Sequence, residues 1–550
     1  MDQTKQKQLL IEIMHLLNKY KKGFFTLAIA ILAINMATAQ SEYQPYSYQF
    51  YQKLSADLYS TDTRIHSAIK PYFVDDSLLK KTYDSLMNVG VKQRSTWLGR
   101  KVFNEHQIDV KGSNYTLYGD FLPDVGVGRD FSGHTSVWNT TIGYQMGGGI
   151  GNKFSFYGSI YENEAQFPAY ITQLINSSYY IPGEGKDMNP GQNTKNWLYS
   201  SFLLSYTPIK FVNFTLGKDK TFIGDGYRSM LLSDFASNYP FFKINVTLGN
   251  VKYMTMYAFM DDPNAPKIPG DNSTRKKWGY FQYIDWNVSK RFSVGLFQNV
   301  MAVTRDSTGQ KRGFDPSLAS PFMFLPTMNN SESDPDKNLL GLTSKVKIFN
   351  KTILYGQFAL NEFRAQDFFS SDGAYTNKFG FQLGIRGADL FHVQGLNYLA
   401  EYNSAKPYTY SSFDQTSNYS QDDQPLADPF GANFREWVGI LNYSVGRFDF
   451  QGQLDYAYFG LDIDGLDYGQ NIFISYNDAV HKFGNYLGQG LATDYYYAQG
   501  KVAYLLNPKY NLRLEFSALF RDEKNSMFNA KTTMFTIGLR SSFRDIYNDF

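Results

Sequence analysis

Hydrophobic and polar residues alternate along many segments of this chain. In residues 379–386, Phe, Phe, Leu and Ile share one face, while Gly, Gln, Gly and Arg share the other. Residues 154–160, 212–217, 448–458 and 512–518 have the same pattern. A period of two predicts β-strands. A half-buried sheet of a soluble protein also alternates, but polar faces with charged residues and Gly in mid-strand are typical of strands that line a wet barrel interior.

The number and spacing of these segments predict a closed barrel. We count roughly eighteen between residues 114 and 543, to within about two or four. Short turns alternate with long connections rich in Asn, Asp, Ser, Gly and Pro, which are Gln166–Lys195, Met260–Lys277, Thr304–Lys337, Ala405–Phe434 and Gly460–Thr493. Periplasmic turns and extracellular loops differ in this way. The predicted fold class is therefore all-β transmembrane: an antiparallel outer-membrane β-barrel over residues 108–550. Phe543 or Phe550 would be its terminal aromatic residue.

The N-terminus has the pattern of a secretory signal peptide. Lys19, Lys21 and Lys22 precede an apolar run over residues 24–34, and the segment ends in Ala-Thr-Ala before Gln40. This order of charge, apolar run and small residues is that of a cleaved signal. The run is shorter than the roughly 20 residues that a spanning helix needs. We expect a signal peptide over residues 1–39, cleavage after Ala39, and a mature protein in the bacterial outer membrane.

Residues 40–107 predict a small helical segment before the barrel. Leu79, Tyr83 and Leu86 recur at helical spacing after Asp75-Asp76-Ser77, which predicts a capped helix over residues 78–88. A second helix is predicted over residues 48–58. The segment would lie on the periplasmic side or plug the lumen, and a loosely ordered extension is the alternative.

Composition narrows the chemistry. The chain contains 43 tyrosines and 46 phenylalanines among its 550 residues, and both residue types are common in strands and at membrane interfaces. The chain has 53 Lys and Arg residues against 51 Asp and Glu residues, so its net charge gives no indication of nucleic-acid binding. The absence of Cys excludes disulfides and a lipid-bearing cysteine, and the six His residues form no metal motif. Residues 462–467 have the composition of a calcium loop, but their Gly comes too early for an EF-hand. We expect no cofactor and no metal.

Several motifs resemble a known family. Residues 216–233, Leu-Gly-Lys-Asp-Lys-Thr-Phe-Ile-Gly-Asp-Gly-Tyr-Arg-Ser-Met-Leu-Leu-Ser, resemble the central motif of the Wzi capsule-assembly family. Residues 338–358 and 401–434 are similar to further family stretches, especially in the Bacteroidetes branch that includes the gliding-motility outer-membrane protein RemB. The resemblance covers about residues 110–543, and it departs at Asp428, where His is expected, and at the N-terminus, where a three-helix bundle is expected. It implies a barrel of about eighteen strands that engages surface polysaccharide and helps to retain it.

Candidate carbohydrate-binding residues follow from the motif and the loops. Sugars are bound by aromatic faces together with charged and amide side chains. The candidates are Lys218, Asp219, Asp225, Tyr227 and Arg228 in the motif, and Tyr408, Tyr410, Tyr419, Tyr476 and Tyr495 in or beside the loops, which also carry Tyr179 and Tyr486. The motif cations could pair with uronate carboxylates; alternatively, the motif is a salt-bridged loop folded into the barrel. The tyrosines could instead form interfacial girdles or pack.

Three functions remain open. The favoured prediction is a non-enzymatic barrel that binds or anchors surface exopolysaccharide and serves capsule attachment or gliding motility. Its partners would be surface polysaccharide, outer-membrane lipid and cell-surface or gliding-machinery proteins. The first alternative is a porin or substrate-specific channel. The second is an outer-membrane enzyme that assembles a Ser/His pair from neighbouring strands; no Gly-x-Ser-x-Gly motif is present at His134-Thr135-Ser136.

Overall fold

The computed structural model describes residues 42–74, 77–268, 273–305, 309–313, 318, 320, 323, 336–361 and 372–550. Within these residues, eighteen antiparallel strands form a closed barrel, in which the first strand pairs with both the second and the last. The strands are β1 (Tyr115–Asp130), β2 (Thr135–Ile150), β3 (Phe154–Gln166), β4 (Thr194–Ile209), β5 (Val212–Asp219), β6 (Tyr239–Leu248), β7 (Val251–Asp262), β8 (Arg275–Trp286), β9 (Phe292–Val303), β10 (Lys337–Phe349), β11 (Thr352–Asn361), β12 (Lys378–Gly387), β13 (Leu396–Ala405), β14 (Phe434–Val445), β15 (Phe448–Leu461), β16 (Leu491–Asn507), β17 (Leu512–Lys524) and β18 (Asn529–Arg540). The predicted barrel and its strand number are confirmed.

The alternation read from the sequence separates an outer from an inner face. In β12, the Leu383 side chain is 61% exposed, whereas its neighbour Gln382 is fully buried. In β17, Leu514 and Phe516 are exposed, and Glu515 between them is buried. Apolar side chains therefore face outward, where a bilayer would meet them, and polar side chains face the interior.

The two ends of the barrel differ in the length of their connections. At one end the connections are short, for example residues 151–153, 210–211 and 446–447. At the other end several are long, and the predicted loops 166–195, 405–434 and 460–493 are present, while residues 131–134 and 525–528 form short turns. Parts of the predicted loops 260–277 and 304–337 lie outside the described residues. In bacterial barrels, short turns are periplasmic and long loops are extracellular, which orients the molecule.

The remaining elements are short. The helices are α1 (Tyr48–Tyr51), α2 (Ser55–Leu58), α3 (Ser77–Leu86), α4 (Trp97–Phe103) and α5 (Ala169–Ser178), with 3-10 turns at Gln52–Leu54, Leu390–His392, Gln415–Ser417 and Tyr476–Asp478. The short strands are Glu42–Tyr43 with Phe73–Val74, Ile69–Lys70 with Phe222–Ile223, Tyr180–Ile181 with Gly185–Lys186, Ser420–Gln421 with Gln424–Pro425, and Ile108–Lys111 beside β1. The predicted helix 78–88 corresponds to α3, and the predicted helix 48–58 consists of three consecutive helical turns. None of the described helices combines the length and the hydropathy that crossing a bilayer requires. The predicted signal peptide, residues 1–39, lies outside the described residues.

Among the described residues, four segments fill the barrel. The N-terminal layer (residues 43–73) lies at the short-turn end, where Lys53 pairs with Asp449 of β15 at 2.7 Å and His66 contacts Asp285 of β8 at 2.8 Å. The inner loop (residues 220–238) connects β5 to β6 and is buried along almost its whole length. The outer loop (residues 406–433) covers the inner loop from the long-loop end, and the tail (residues 541–550) returns into the interior. Together they form one plug, which is held by buried polar and hydrophobic contacts.

Candidate functional site

The Gly-Asp-Gly-Tyr-Arg motif lies in the inner loop, in the centre of the barrel. Its guanidinium, on Arg228, is 3% exposed and pairs with Glu436 of β14 at 2.9 Å and with Asp549 of the tail at 3.3 Å. The backbone N–H groups of Tyr227 and Arg228 both donate to the Glu401 carboxylate of β13 at 3.0 Å. The motif therefore joins two barrel strands to the tail.

A second group of contacts holds the motif aspartate. The Asp225 carboxylate accepts hydrogen bonds from Ser67 at 2.5 Å and from Tyr59 at 3.2 Å, and lies 3.4 Å from the Lys345 ammonium of β10. Burial would raise the pKa of Asp225, but Lys345, Lys70 and the Ser67 hydroxyl lower it below its ordinary value. The carboxylate is thus kept charged, and it ties the N-terminal layer to the inner loop.

The other predicted residues of the motif lie at its edges. Asp219, the last residue of β5, accepts hydrogen bonds from the Tyr43 hydroxyl and from the backbone N–H of Lys220. Lys218 is half-buried. Tyr227 donates its hydroxyl to Asp549 at 2.6 Å. The structure therefore brings Asp225, Tyr227 and Arg228 together as a salt-bridged loop folded into the barrel, which was the alternative left open by the sequence.

The predicted loop tyrosines pack inside the molecule. Tyr410 and Tyr419 of the outer loop donate their hydroxyls to the carbonyls of Met230 and Leu231 in the inner loop. Tyr408 donates to the Asp467 carbonyl at 2.9 Å. The rings of Tyr476 and Tyr495 are also buried, the first beneath the Lys378 ammonium and the second against Phe430. These five rings join the long loops to the inner loop, to each other or to the barrel wall, and they present little surface to an external ligand.

Exposed aromatic rings occur elsewhere on the long-loop face. In the connection between β15 and β16, Phe483 is 63% exposed and Tyr486 is 66% exposed. The Tyr179 ring, at the C-terminal end of α5, is 47% exposed. Tyr486 and Tyr179 were among the loop residues singled out from the sequence. Phe483 was not, although an apolar ring in the polar segment His-Lys-Phe-Gly-Asn-Tyr was the available signal.

The segment that carries Phe483 and Tyr486 is hydrogen-bonded to a neighbouring segment of the chain. Its backbone pairs with residues 372–375: Gly484 N–H donates to the Asp372 carbonyl at 2.7 Å, and Tyr375 N–H donates to the Lys482 carbonyl at 3.1 Å. The Asn485 amide donates to the Gly373 carbonyl at 2.9 Å. These bonds fix the backbone beneath the two rings, so an external ligand meets a surface that is already ordered.

Residues 462–467, which have the composition of a calcium loop, use their carboxylates to stabilise local turns. The Asp462 carboxylate accepts the backbone N–H of Tyr468 at 2.5 Å and of Asn471 at 3.0 Å. The Asp467 carboxylate accepts the N–H of Gly469 at 2.8 Å. Across the described residues, no group of three or more His, Cys, Asp or Glu side chains is arranged to hold a metal ion. The segment is therefore explained by its own backbone hydrogen bonds.

The comparisons with known proteins establish the fold. No protein-family model matches the chain, and no curated protein matches its sequence. Among solved structures, it is similar to Wzi of Escherichia coli, an outer-membrane protein involved in group 1 capsule assembly and a carbohydrate-binding β-barrel, with a TM-score of 0.53, 12% identity, and coverage of 92% of this chain and 100% of that one. OprD of Pseudomonas aeruginosa gives a TM-score of 0.41 at 8% identity, with coverage of 79% of this chain and 97% of that one. OccAB2 of Acinetobacter baumannii gives 0.42 at 8% identity, with coverage of 78% and 99%. The chain therefore has a Wzi-like outer-membrane barrel fold.

Proposed function

We propose that this protein is a non-enzymatic outer-membrane barrel that binds surface polysaccharide on its long-loop face. The observation that carries the proposal is the pair of exposed rings, Phe483 and Tyr486, held on a fastened backbone above a plugged lumen. The Wzi-like fold agrees with it, because the E. coli protein is a carbohydrate-binding barrel. Membership of the Bacteroidetes branch, export by a signal peptide and a role in gliding motility are further parts of the proposal, supported by the sequence motifs alone.

The plug supports binding over conduction. An open pore needs a continuous water-filled path, whereas the inner loop is bonded to four neighbouring strands of this barrel, at Gln357 of β11, Gln382 of β12, Glu401 of β13 and Glu436 of β14. These bonds are buried, so each broken bond would leave a polar group without water or a partner. An opening of this lumen would need several of them to break together.

The exposed rings have the chemistry of a sugar surface. A ring that is about two-thirds exposed gains free energy when an apolar sugar face covers it. Polar side chains that can bond hydroxyl groups surround the two rings in the chain: Asn477, Asp478, His481 and Lys482 are all exposed. Because the backbone beneath is already bonded, little ordering entropy is lost when a polymer docks.

The test is binding of the full-length protein, in detergent, to the capsular polysaccharide of the producing cells, with an unrelated barrel as reference. The double variant Phe483→Ala/Tyr486→Ala should weaken binding at least tenfold, since covering a ring contributes about 1.5–3 kcal/mol and 1.4 kcal/mol is about tenfold. The matched control is Phe391→Ala, which removes an 83% exposed ring at the short-turn end. Binding no stronger than that of the reference barrel, or equal losses in both variants, would reject the proposal. Steady single-channel conductance of the wild type would favour the channel instead.

A further inference from the structure

A cavity inside the barrel has no role in the surface proposed above. It has a volume of about 160 Å³ and lies between the tail and the wall formed by β15–β18 and β1–β3. It extends from Arg513, near the short-turn end of β17, to Gln166, at the long-loop end of β3. At about 10–15 Å³ for each water position, this space holds on the order of ten waters, the size of one hexose.

Most charges on the cavity wall are already paired. Arg513 and Arg540 both contact Glu515, at 2.8 Å and 3.3 Å, and Arg540 also contacts Asp124 at 3.3 Å. Arg544 of the tail pairs with Glu184. These ion pairs fix the wall and leave it with little net charge to offer a ligand.

Lys501 of β16 is the exception among the lining cations. Its half-buried ammonium has no hydrogen bond or salt bridge to any described residue, and Glu515 and Asp545 act on it only at longer range. The interior of a protein screens charge poorly, so an unpaired cation there attracts an anion strongly. The cavity therefore contains a cation that none of the described side chains bonds directly; the Asp545 carboxylate of the tail, which also lines the cavity, attracts it from beyond bonding distance.

Amide and aromatic groups on the same wall suit a sugar ring. The Gln451 amide has no partner among the described residues, and Gln499 makes one 3.4 Å bond, to Ser517, which leaves its carbonyl oxygen available. Amides can both donate to and accept from hydroxyl groups. At the long-loop end, the half-buried ring of Phe167 lines the cavity, and the apolar face of a sugar could rest on it.

We propose that this cavity binds a pyranose that carries a carboxylate, such as a uronic acid. Lys501 pairs with the carboxylate, and Gln451 and Gln499 bond the ring hydroxyls. This site is separate from the polymer-binding surface at Phe483 and Tyr486, and it takes a single sugar unit where that surface takes a chain.

The test is calorimetric titration of the full-length protein in detergent with sodium glucuronate. Glucose, which lacks the carboxylate, and sodium acetate, which lacks the ring, are titrated in parallel. Saturable binding of glucuronate, at least tenfold tighter than of either reference, supports the proposal. Equal binding of acetate would show a carboxylate site without sugar recognition, and absence of saturable glucuronate binding would remove the site altogether; either result overturns the proposal.

Substitutions assign the effect to the cavity. Lys501→Gln should weaken glucuronate binding at least tenfold, Lys501→Arg should retain it, and Lys290→Gln, in an exposed turn, should leave it unchanged. An unchanged affinity in Lys501→Gln, or the same loss in Lys501→Arg, would contradict the assigned charge pair. Polymer binding is measured on the same samples. If the polymer binds and glucuronate does not, only the cavity proposal fails.

Discussion

Arg228→Gln is the substitution that should disturb the plug most strongly. The guanidinium lies 2.9 Å from Glu436 and 3.3 Å from Asp549, and all three side chains are 3% exposed or less. Glutamine keeps part of the side-chain length but leaves two buried carboxylates without their cation. Removing one partner of a buried ion pair costs about 3–5 kcal/mol.

That cost has two measurable consequences. At 1.4 kcal/mol for each factor of ten, the equilibrium between the closed and the opened plug should shift by about two to three and a half orders of magnitude. In planar bilayers, this population should appear as openings that the wild type lacks. The midpoint of urea unfolding in detergent should fall as well. Arg291→Gln, in an exposed turn, is the matched control.

A second variant separates lost charge pairing from lost packing. In Arg228→Gln/Glu436→Gln, one of the unpaired carboxylates is removed, so part of the stability should return, and the non-additivity measures the coupling of the pair. The reasoning is refuted if Arg228→Gln and Arg291→Gln unfold at the same urea concentration and neither conducts. It is also refuted if the double variant loses more unfolding free energy than the two single variants lose together.

Three further predictions follow from other parts of the molecule. Leu454→Lys, on the outer face in the middle of β15, should destabilise the protein by about 2–4 kcal/mol when it is refolded into lipid vesicles, and Leu248→Lys, at the end of β6, by no more than about 1 kcal/mol; equal costs would contradict the assigned membrane depth. Tyr410→Phe should cost about 1–3 kcal/mol in urea unfolding, because the Met230 carbonyl loses its buried donor, and no loss would mean that this bond contributes nothing. Burial and the neighbouring Asp262 raise the pKa of Asp423 to about 7. The folded state thus favours the protonated acid, so the free energy of unfolding should fall as pH rises from about 4 to about 7. Asp423→Asn should therefore reduce the difference between the urea midpoints at pH 5 and pH 8.

The barrel could be predicted because its signal is local. In a strand, the alternation of residue types alone predicts which side chains face outward, as it does for Leu383 and Gln382. The number of such segments and the alternating lengths of their connections then predict the closed sheet. The helix predicted over residues 78–88 could be predicted for the same reason, because its apolar residues recur at helical spacing within a few consecutive turns. Neither needed any knowledge of distant contacts.

The interior could not be predicted in this way, since its contacts join residues that are far apart in the sequence. Arg228 meets Glu436 and Asp549 across more than two hundred residues. The tail carries no periodic pattern that would place it inside the barrel. Gly226 is one feature of the interior that the sequence does show: a side chain there would collide with the Glu401 carboxylate, so the close packing of the motif against β13 requires glycine.

Pairing, more than residue type, distinguishes structural charge from binding charge in this lumen. A uronate site and a salt-bridged plug both need Lys and Arg beside Gly and aromatic residues, so the motif at residues 218–228 suited either. A buried cation must find an anion, because leaving it unpaired in a poorly screened interior is costly. Arg228 finds its anions within the chain, whereas Lys501 finds none at bonding distance among the described residues. If the ligand supplies that anion, then the residue that recognises it is one that no sequence motif singled out.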